Sequence, residues 1–406
     1  DCKGKVVRLL QLQIVNFRKD SYILVEGKEN TDRFYIIQSG KVRTFKANDP
    51  SGVSVKILGP GDFVGVISCM SGHTQIENAI AMADTRCISV RKDQYPELIE
   101  KNTPIALKII RTFANRTRIM NELITKPAAS INASETPEHI FEVARYYDKV
   151  GAYPIALYAY YHYMKECRTG RYLEDARQRF KAVSIMSSFR NFEPEPDLAR
   201  SYNKGEMIFS ESQTGGDMYV IQDGEVAITK VSDGNEMILA VLKRGDMFGE
   251  MALLENKPRS ASAIAHGNCR LLVINRHNFN QMVTTQPQLI ARLTTTFAER
   301  LWTSYRQLDN TNIVNPLHKM VDMLALQAEK TKKFSGSFQT ELSPTDLANM
   351  CGIPLKLHTP VIVQFSTEKC ARINMDKIFI PDCAELLKQA AFYRKMSATG
   401  DKKNSL

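Results

Sequence analysis

The stretch Gly249-Glu250-Met251-Ala252-Leu253-Leu254-Glu255-Asn256-Lys257-Pro258-Arg259-Ser260-Ala261-Ser262-Ala263 decides the fold of this chain. It follows a strand-like run at residues 236–242 and a Lys-Arg-Gly-Asp turn at 243–246. Glycine lets backbone N–H groups approach a ligand closely, and a short helical turn after it directs more N–H groups at an anion. The stretch therefore predicts a loop that binds an anion.

Two charged side chains in this loop suggest what kind of anion it binds. Glu250 offers a carboxylate that can accept hydrogen bonds from two ribose-type hydroxyls, and Arg259 offers a planar guanidinium suited to a phosphate. An acid and a base buried in an otherwise apolar loop are costly unless a ligand between them uses both. From composition alone, a surface loop with a structural Glu–Arg pair is an equally good interpretation.

The full pattern favours a ligand. Phe-Gly-Glu-Met-Ala-Leu-Leu at 248–254, followed by Pro-Arg-Ser-Ala at 258–261, resembles the phosphate-binding cassette of cyclic nucleotide-binding domains. The flanking strand and turn are similar to those of the bacterial cyclic-AMP receptor (CRP/FNR-like) proteins. The resemblance implies a β-roll that binds a cyclic nucleotide.

The same resemblance assigns roles to residues. Glu250 would hold the ribose 2′-OH, Arg259 and Ser260 the cyclic phosphate, and the backbone of Gly249 and Ala261 the rest of the cradle. In that family the helix after the roll covers the base, although an ordinary exposed serine is an equally good interpretation of Ser304. The expected ligand site consists of Leu239, Gly249, Glu250, Met251, Ala252, Arg259, Ser260, Ala261, Ser304 and Tyr305.

The roll has a copy earlier in the chain. A constant separation of 184 residues relates the two copies, and no insertion is expected anywhere between residues 21 and 81. The related glycines are Gly40 and Gly224, Gly61 and Gly245, and Gly65 and Gly249. Short strands separated by Gly, Asn, Asp and Pro every 8–12 residues are typical of a barrel or jelly roll. The chain is therefore expected to hold two copies of one β-roll.

The copies differ at the charged positions. Val66 stands at the position of Glu250, and Gln75 at that of Arg259. Neither can pair with a phosphate, so the first roll is expected to have lost ordinary cyclic-nucleotide binding. It would keep a structural, dimer-like role or bind something else. Arg86 and Arg91 lie nearby in sequence, but both fit exposed positions beside a strand.

Helices are expected around and between the rolls. Residues 6–16 are interpreted as a short amphipathic helix and residues 104–124 as a longer one. The basic side chains of the longer helix, which include Arg111 and Arg118, are expected on a solvated face, with a basic patch as the alternative. Residues 127–130 mark a linker, and Glu-Pro-Glu-Pro at 193–196 marks a stiff boundary.

The segment between the rolls, residues 136–186, is helical in pattern and rich in tyrosine. Tyr147, Gly151, Tyr153, Ala156 and Tyr160 have a spacing that resembles one tetratricopeptide-type helical hairpin. A second partial echo begins only 19 residues after Gly151, so an array of full repeats is not expected. A packed spacer is the favoured interpretation, and a peptide-binding groove is the alternative.

The last segment predicts a helix at 316–331, a strand at 338–342, and a helix capped by Ser343 that ends at a turn on Gly352. A second helix at 354–365 and a hairpin at 371–380 complete a pattern that resembles the winged-helix DNA-binding domain. However, the second helix lacks the side chains that read bases, and Pro360 is expected to interrupt it. Specific DNA binding is therefore left open. One more amphipathic helix is expected at 384–396.

The bulk properties fit this organisation. A chain of 406 residues predicts two to four domains, here 1–127, 128–192, 193–312 and 313–406. The fold class is multidomain α+β, with two β-rolls, a helical spacer and a winged-helix-like end. The net charge is +10, of which residues 313–406 carry +4, a weak footprint for nucleic acid.

Composition and motifs also limit the function. The sequence has no membrane-length apolar run and no signal peptide, and its eight cysteines are scattered without a CxxC pair, which favours a cytoplasmic protein without a metal site. No nucleophile elbow, P-loop or kinase motif set is present, so neither catalytic residues nor a cofactor are expected.

These observations predict a regulatory protein. Its second roll would bind cyclic AMP, with cyclic GMP as the alternative, and signal to a CRP-like C-terminal domain that acts in transcription. The alternative is a cyclic-nucleotide sensor or scaffold that works through protein partners. A kinase regulatory subunit is disfavoured because an Arg-Arg-x-Ser-type segment is absent. The expected assembly is a homodimer or an intrachain pair of rolls, with no membrane partner.

Overall fold

The computed structural model describes residues 12–29, 31–47, 55–125, 136–193 and 197–400. The linker expected at 127–130 and most of the boundary expected at 193–196 lie outside these residues. In the described residues of the first half of the chain, the elements are β1 (Gln13–Phe17), β2 (Tyr22–Leu24), β3 (Arg33–Ser39), β4 (Val42–Phe45), β5 (Lys56–Leu58), β6 (Phe63–Val64), α1 (Val66–Ser71), β7 (Asn78–Ala81), β8 (Thr85–Arg91), α2 (Tyr95–Lys101), α3 (Thr103–Thr125), α4 (His139–Lys149), α5 (Tyr153–Glu166) and α6 (Leu173–Ser184).

The elements of the second half follow in a similar order. They are β9 (Ala199–Tyr202), β10 (Met207–Phe209), β11 (Met218–Asp223), β12 (Val226–Ser232), β13 (Asn235–Leu242), β14 (Met247–Phe248), α7 (Glu250–Glu255), β15 (Ser262–Ala265), β16 (Cys269–Ile274), α8 (Arg276–Thr285), α9 (Pro287–Thr311), α10 (Pro316–Lys330), β17 (Phe338–Gln339), α11 (Pro344–Met350), α12 (His358–Ser366), β18 (Arg372–Asn374), β19 (Lys377–Ile380) and α13 (Cys383–Gly400). Short 3₁₀ turns occur at Lys92–Gln94 and Leu355–Leu357.

The chain divides into two units, and each is made of two stretches of sequence. The first unit is Asp1–Phe113 with Asn280–Tyr305, and the second is Ala114–Phe279 with Arg306–Leu406. The divisions fall inside α3, α8 and α9. The last turns of α3 therefore belong to the unit of the second roll, and the first turns of α9 belong to the unit of the first roll.

The first unit contains an antiparallel roll of two four-stranded sheets, in the orders β1-β8-β3-β6 and β2-β7-β4-β5. Its core is formed by the alternate inward residues of both sheets, among them Ile37, Val42 and Cys87. The strands expected at 22–25, 33–39 and 41–45 are confirmed. The helix expected at 6–16 is wrong in the described part, because Gln13–Phe17 pairs with Thr85–Ser89 as an edge strand.

The second unit contains the matching roll, with sheets in the orders β14-β11-β16-β9 and β10-β15-β12-β13. Pairing registers show that the separation of the copies is not constant. Tyr22 pairs with Ile80 whereas Met207 pairs with Ile264, a separation of 185 on the first strand and 184 on the second. The expectation of no insertion is therefore wrong, because the loop between β2 and β3 is one residue longer than the loop between β10 and β11.

The three spacer helices pack on the second roll. Their buried residues form one core with Met207, Val231 and Ile264 of the roll. The tyrosine hydroxyls satisfy polar groups in this interface: Tyr158 donates to the carbonyl oxygen of Ile208 at 3.1 Å, and Tyr147 donates to Glu236 at 2.6 Å. The packed-spacer interpretation accounts for the tyrosine content, and the likeness to tetratricopeptide repeats stays a prediction.

The C-terminal elements follow the predicted order of helices and hairpin. Ser343 and Asp346 form a reciprocal capping box at the start of α11, and Gly352 makes the turn with a left-handed φ of 64°. A Cβ atom at Gly352 would lie 2.2 Å from Cε of Met237, so the close approach of this turn to β13 requires glycine.

The effect expected of Pro360 is wrong. The helix begins at His358, so Pro360 lies in its first turn, where the missing N–H has no intrahelical partner to lose. The short sheet β17-β19-β18 completes this segment, and its assignment as a winged helix stays a prediction. In the described part of the chain, no helix has the length and apolar character needed to cross a membrane.

An ion pair connects α11 to the second roll and should depend on pH. Nε2 of His266 lies 3.6 Å from Oδ2 of Asp346. The hydrogen bond with Asp346 raises the pKa of His266. Burial acts to raise the pKa of Asp346, but His266 and Ser343 outweigh burial and lower it. The stability contributed by His266 is therefore present below its unfolded pKa of about 6.5 and is lost as pH rises through the folded value.

We expect His266→Gln to lower the free energy of unfolding more at pH 6 than at pH 8, because the charged histidine is lost only at the lower pH. Urea unfolding at the two pH values measures the difference. His277→Gln, an exposed histidine on α8, is the matched control and should show the same change at both. Equal losses at both pH values for His266→Gln would contradict the assigned ion pair.

Candidate functional site

The cassette lies between β14 and β15, and left-handed residues shape both ends of its short helix. Gly249 precedes α7 with a φ of 78°, and Asn256 ends it with a φ of 56°. The first residues of α7, Glu250, Met251 and Ala252, are buried. The predicted strand, turn and helical turn are thus present, and they bring the cassette residues together around one side chain.

That side chain is Arg259, which is only 4% exposed. Its Nη1 donates to the carbonyl oxygens of Asp217 and Gly249, each at 2.7 Å, and its guanidinium carbon lies 4.1 Å from the ring centre of Phe209. Its Nε is buried without a hydrogen-bond partner. The guanidinium is therefore positioned by neutral oxygens and an aromatic face, and one donor stays unsatisfied.

The charge of Arg259 is also not compensated by a close carboxylate. Among the described residues, Arg259 forms no ion pair within 4.0 Å. Burial lowers its pKa, although the more distant Asp217 and Glu250 act to raise it. A buried cation without a partner is costly, and an anion next to Nε would remove that cost.

Two glycines make room for the guanidinium. A Cβ atom at Gly249 would lie 2.7 Å from Nη1 of Arg259, and one at Gly215 would lie 2.9 Å from Nη2. Both distances are shorter than a Cβ contact allows. Gly249 was predicted as part of the cradle, whereas Gly215 was missed because it lies in a preceding loop that the cassette pattern does not include.

The other cassette residues are buried around the same space. Ser260 and Ala261 are 8% and 5% exposed, and Oγ of Ser260 lies 3.5 Å from the sulfur of Met251. Glu250 is 4% exposed at the start of α7, where the partial positive charge of a helix N-terminus favours a carboxylate.

The apolar side of the site is formed by residues from three parts of the chain. Leu239 and Ala261 form a buried cluster with Ile124, and Leu308 packs against it. Gln307 donates from Nε2 to the carbonyl oxygen of Leu239 at 2.9 Å. Ile124 and Gln307 were missed. The repeat held a signal for the first, because Ile124 lies 184 residues before Leu308.

Ser304 and Tyr305 belong to the first unit. Ser304 is 7% exposed, and the ring of Tyr305 lies 5.6 Å from Nζ of Lys46. The structure does not bring them together with the cassette residues of the second unit, so their contact with the base stays a prediction.

The matching loop of the first roll keeps the backbone but lacks the charge. Gly65 has the same φ of 78° as Gly249, and it precedes α1, which begins with the buried Val66. Gln75 is 3% exposed, and its backbone N donates to the carbonyl oxygen of Lys28 at 2.9 Å. Arg86 and Arg91 are exposed on β8, as expected for positions beside a strand.

Comparison with known families decides the identity of these rolls. Residues 14–102 and 199–286 each match the cyclic nucleotide-binding domain model. The chain carries two cyclic nucleotide-binding domains. The first domain matches although the counterparts of Glu250 and Arg259 are neutral, so the match rests there on the roll and its glycines.

The curated relatives share these domains. The chain is 38% identical over 78 residues to a cAMP-dependent protein kinase regulatory subunit of Mycosarcoma maydis, 18% of this chain and 15% of the relative. It is 32% identical over 127 residues to cGMP-dependent protein kinase 2 of Mus musculus, 29% of this chain and 16% of the relative. It is 22% identical over 193 residues to a CRP-like cAMP-activated global transcriptional regulator of Mycobacterium tuberculosis, 47% of this chain and 86% of the relative.

The shared part differs greatly between these relatives. The chain spans less than a fifth of the length of the two kinase-related proteins and most of the length of the CRP-like protein. The cyclic nucleotide-binding domain is the part that they have in common with this chain.

The cradle around Arg259 predicts a large effect for one methyl group. We expect Gly249→Ala to lower the free energy of unfolding by more than the roughly 1 kcal/mol that a left-handed alanine costs, because its Cβ atom also displaces Nη1 of Arg259. Gly245→Ala is the matched control, since Gly245 has a φ of 89° and nothing within 4 Å of its Cβ position. Urea unfolding of the two variants measures the difference, and equal losses would contradict the cradle.

Proposed function

We propose that this chain is a cyclic-nucleotide-responsive regulatory protein whose second domain binds the nucleotide. The observation that carries the proposal is Arg259, a buried guanidinium without an ion-pair partner among the described residues and with one unsatisfied donor. The singly charged cyclic phosphate would accept from Nε and compensate the charge. No catalytic role is proposed for the chain.

The remaining cassette residues would each take one part of the ligand. Glu250 would accept from the ribose 2′-OH, Ser260 and the backbone of Gly249 and Ala261 would donate to the phosphate, and Leu239 would contact the base. Ser304 and Tyr305 are proposed for the base as well, since they lie on α9, the helix that also carries Gln307 and Leu308.

Cyclic AMP is the proposed ligand, with cyclic GMP as the alternative. Both kinds of nucleotide occur in the names of the relatives, which include cAMP-dependent and cGMP-dependent proteins. The two ligands share the ribose and cyclic phosphate and differ only in the base. Competition between them in one titration would identify the preferred ligand without changing the assignment of the cassette.

We expect Arg259→Ala to weaken the binding of cyclic AMP by about 2–5 kcal/mol, because the variant removes the cation that the phosphate would pair with. Isothermal titration calorimetry of the folded variant measures the loss. The matched control is Gln75→Ala, at the corresponding position of the first domain, which should leave the affinity unchanged.

Two results of this titration would contradict the proposal. Unchanged affinity in Arg259→Ala would exclude the assigned phosphate site. A comparable loss in Gln75→Ala would show that the first domain takes part in binding, against the proposal that it has lost this ability.

The proposed output is regulation of transcription through the C-terminal elements. The capped helix α11, the turn at Gly352, α12 and the β18–β19 hairpin have the order that DNA-binding domains of this kind use. The similarity to a CRP-like transcriptional regulator, which extends over 86% of that protein, supports the same output.

One observation favours a different output. The surface of α12 and the turn before it exposes large apolar side chains: Leu355 is 60% exposed, Leu357 37% and Val363 60%. Base edges and phosphates are read by polar and basic side chains, whereas protein partners cover apolar ones. The alternative proposal is therefore a sensor or scaffold that acts through protein partners.

Gel shifts at several salt concentrations, with and without cyclic AMP, separate the two outputs. A transcription regulator should keep its sequence preference at physiological salt. A scaffold should show no DNA binding, or only non-specific binding that is lost as salt rises.

A further inference from the structure

In the second unit, the last turns of α3 lie directly on the cassette. These turns, residues 114–125, come from the helix that follows the first roll in sequence. Their side chains contact the cassette at three places, through an ion pair, a buried ionic chain and an apolar cluster. Arg118 was expected on a solvated face, and that expectation is wrong, because its side chain is only 9% exposed.

Arg118 holds the loop that leads into Arg259. Its Nε donates to Oε2 of Glu255 at 2.7 Å, and the Glu255 side chain is also 9% exposed. Its Nη2 donates to the carbonyl oxygen of Pro258 at 3.0 Å. The two contacts connect α3 to the end of α7 and to the residue immediately before Arg259.

One turn later, Glu122 reaches the backbone of the cassette through a buried lysine. Oε1 of Glu122 lies 2.5 Å from Nζ of Lys230, which is 1% exposed and donates to the carbonyl oxygen of Ser260 at 3.1 Å. Glu211 lies 2.8 Å from the same nitrogen. Burial acts to lower the pKa of Lys230, but the two carboxylates outweigh it and raise the pKa, so the lysine stays charged.

The third contact covers the apolar side of the site. Ile124 is 6% exposed and packs with Leu239 and Ala261, which are 6% and 5% exposed. Both partners are residues proposed to contact the nucleotide. With Glu250 and Arg259 also only 4% exposed, α3 leaves the cassette covered rather than open to solvent.

From these contacts we propose that the end of α3 is an autoinhibitory latch on the nucleotide site of the second domain. The inference rests on the proposed function, because it assigns regulation to the same site. A nucleotide that contacts Leu239, Ser260 and Ala261 must displace Ile124 and loosen the contacts of Arg118 and Glu122. Ligand and latch then compete for the cassette, so nucleotide binding releases α3.

This competition has a thermodynamic consequence. A ligand that binds only the released state has an apparent affinity reduced by the fraction of molecules that are released. Any change that weakens the latch should therefore tighten nucleotide binding, although it removes a stabilising contact from the fold. A residue that only supported the site would have the opposite effect, since its loss would weaken binding.

The test compares variants of α3 in the whole chain. We expect Arg118→Gln and Ile124→Ala to bind cyclic AMP about tenfold more tightly than the wild type, the gain expected when nine-tenths of the molecules are latched. Arg111→Gln, on the exposed side of the same helix, is the matched control and should not change the affinity. Calorimetry measures the affinities, and hydrogen exchange of residues 114–125 should increase when cyclic AMP is added to the wild type.

Each result has one consequence. Unchanged or weaker binding in both variants, with a wild type that binds, would overturn the latch and leave the proposed function intact. No binding by the wild type or any variant would overturn the proposed function and the latch with it. If Arg118→Gln does not fold, Ile124→Ala decides by the same criteria, and protection of residues 114–125 that increases with cyclic AMP would also overturn the latch.

Discussion

The structure of the second unit depends on how it treats buried cations. Lys230 has two carboxylates near its nitrogen, Arg118 has Glu255, and Arg306 has Glu329 at 2.9 Å and Asp322 at 3.6 Å. Arg259, buried to the same degree, has carbonyl oxygens and an aromatic ring instead. Because an unpaired charge is costly in a low-dielectric interior, its retention at this one loop implies a ligand that pays for it.

The neutral copy of the loop supports the same argument. The first domain keeps the left-handed glycine and the short helix after it, yet the position of the cation holds an amide. The backbone geometry is therefore stable without the charge. Arg259 is not needed to form the loop, so its cost in the second domain must be balanced by something other than folding, which is what an anion site provides.

Much of this architecture could be predicted from sequence, because strand alternation and glycine spacing are local properties. The errors arose where local patterns do not decide. The glycines that defined the repeat, such as Gly40 and Gly61, all follow the loop between β2 and β3, so they could not reveal its extra residue. The burial of Arg118 depends on a partner more than a hundred residues away in sequence, and helix periodicity carries no information about such a partner.

The two long helices show how one geometry can serve two chemistries. Residues 118 and 302 are 184 apart and occupy equivalent positions of α3 and α9. In the first unit, Trp302 stacks on His73 at 3.9 Å, beside the neutral loop. In the second unit, Arg118 pairs with Glu255 beside the charged one. A ring stack has no charge to exchange with an anionic ligand, whereas an ion pair at the edge of the cassette responds to a phosphate placed next to it. The electrostatic contact therefore lies at the loop that kept its arginine, where a ligand could act on it.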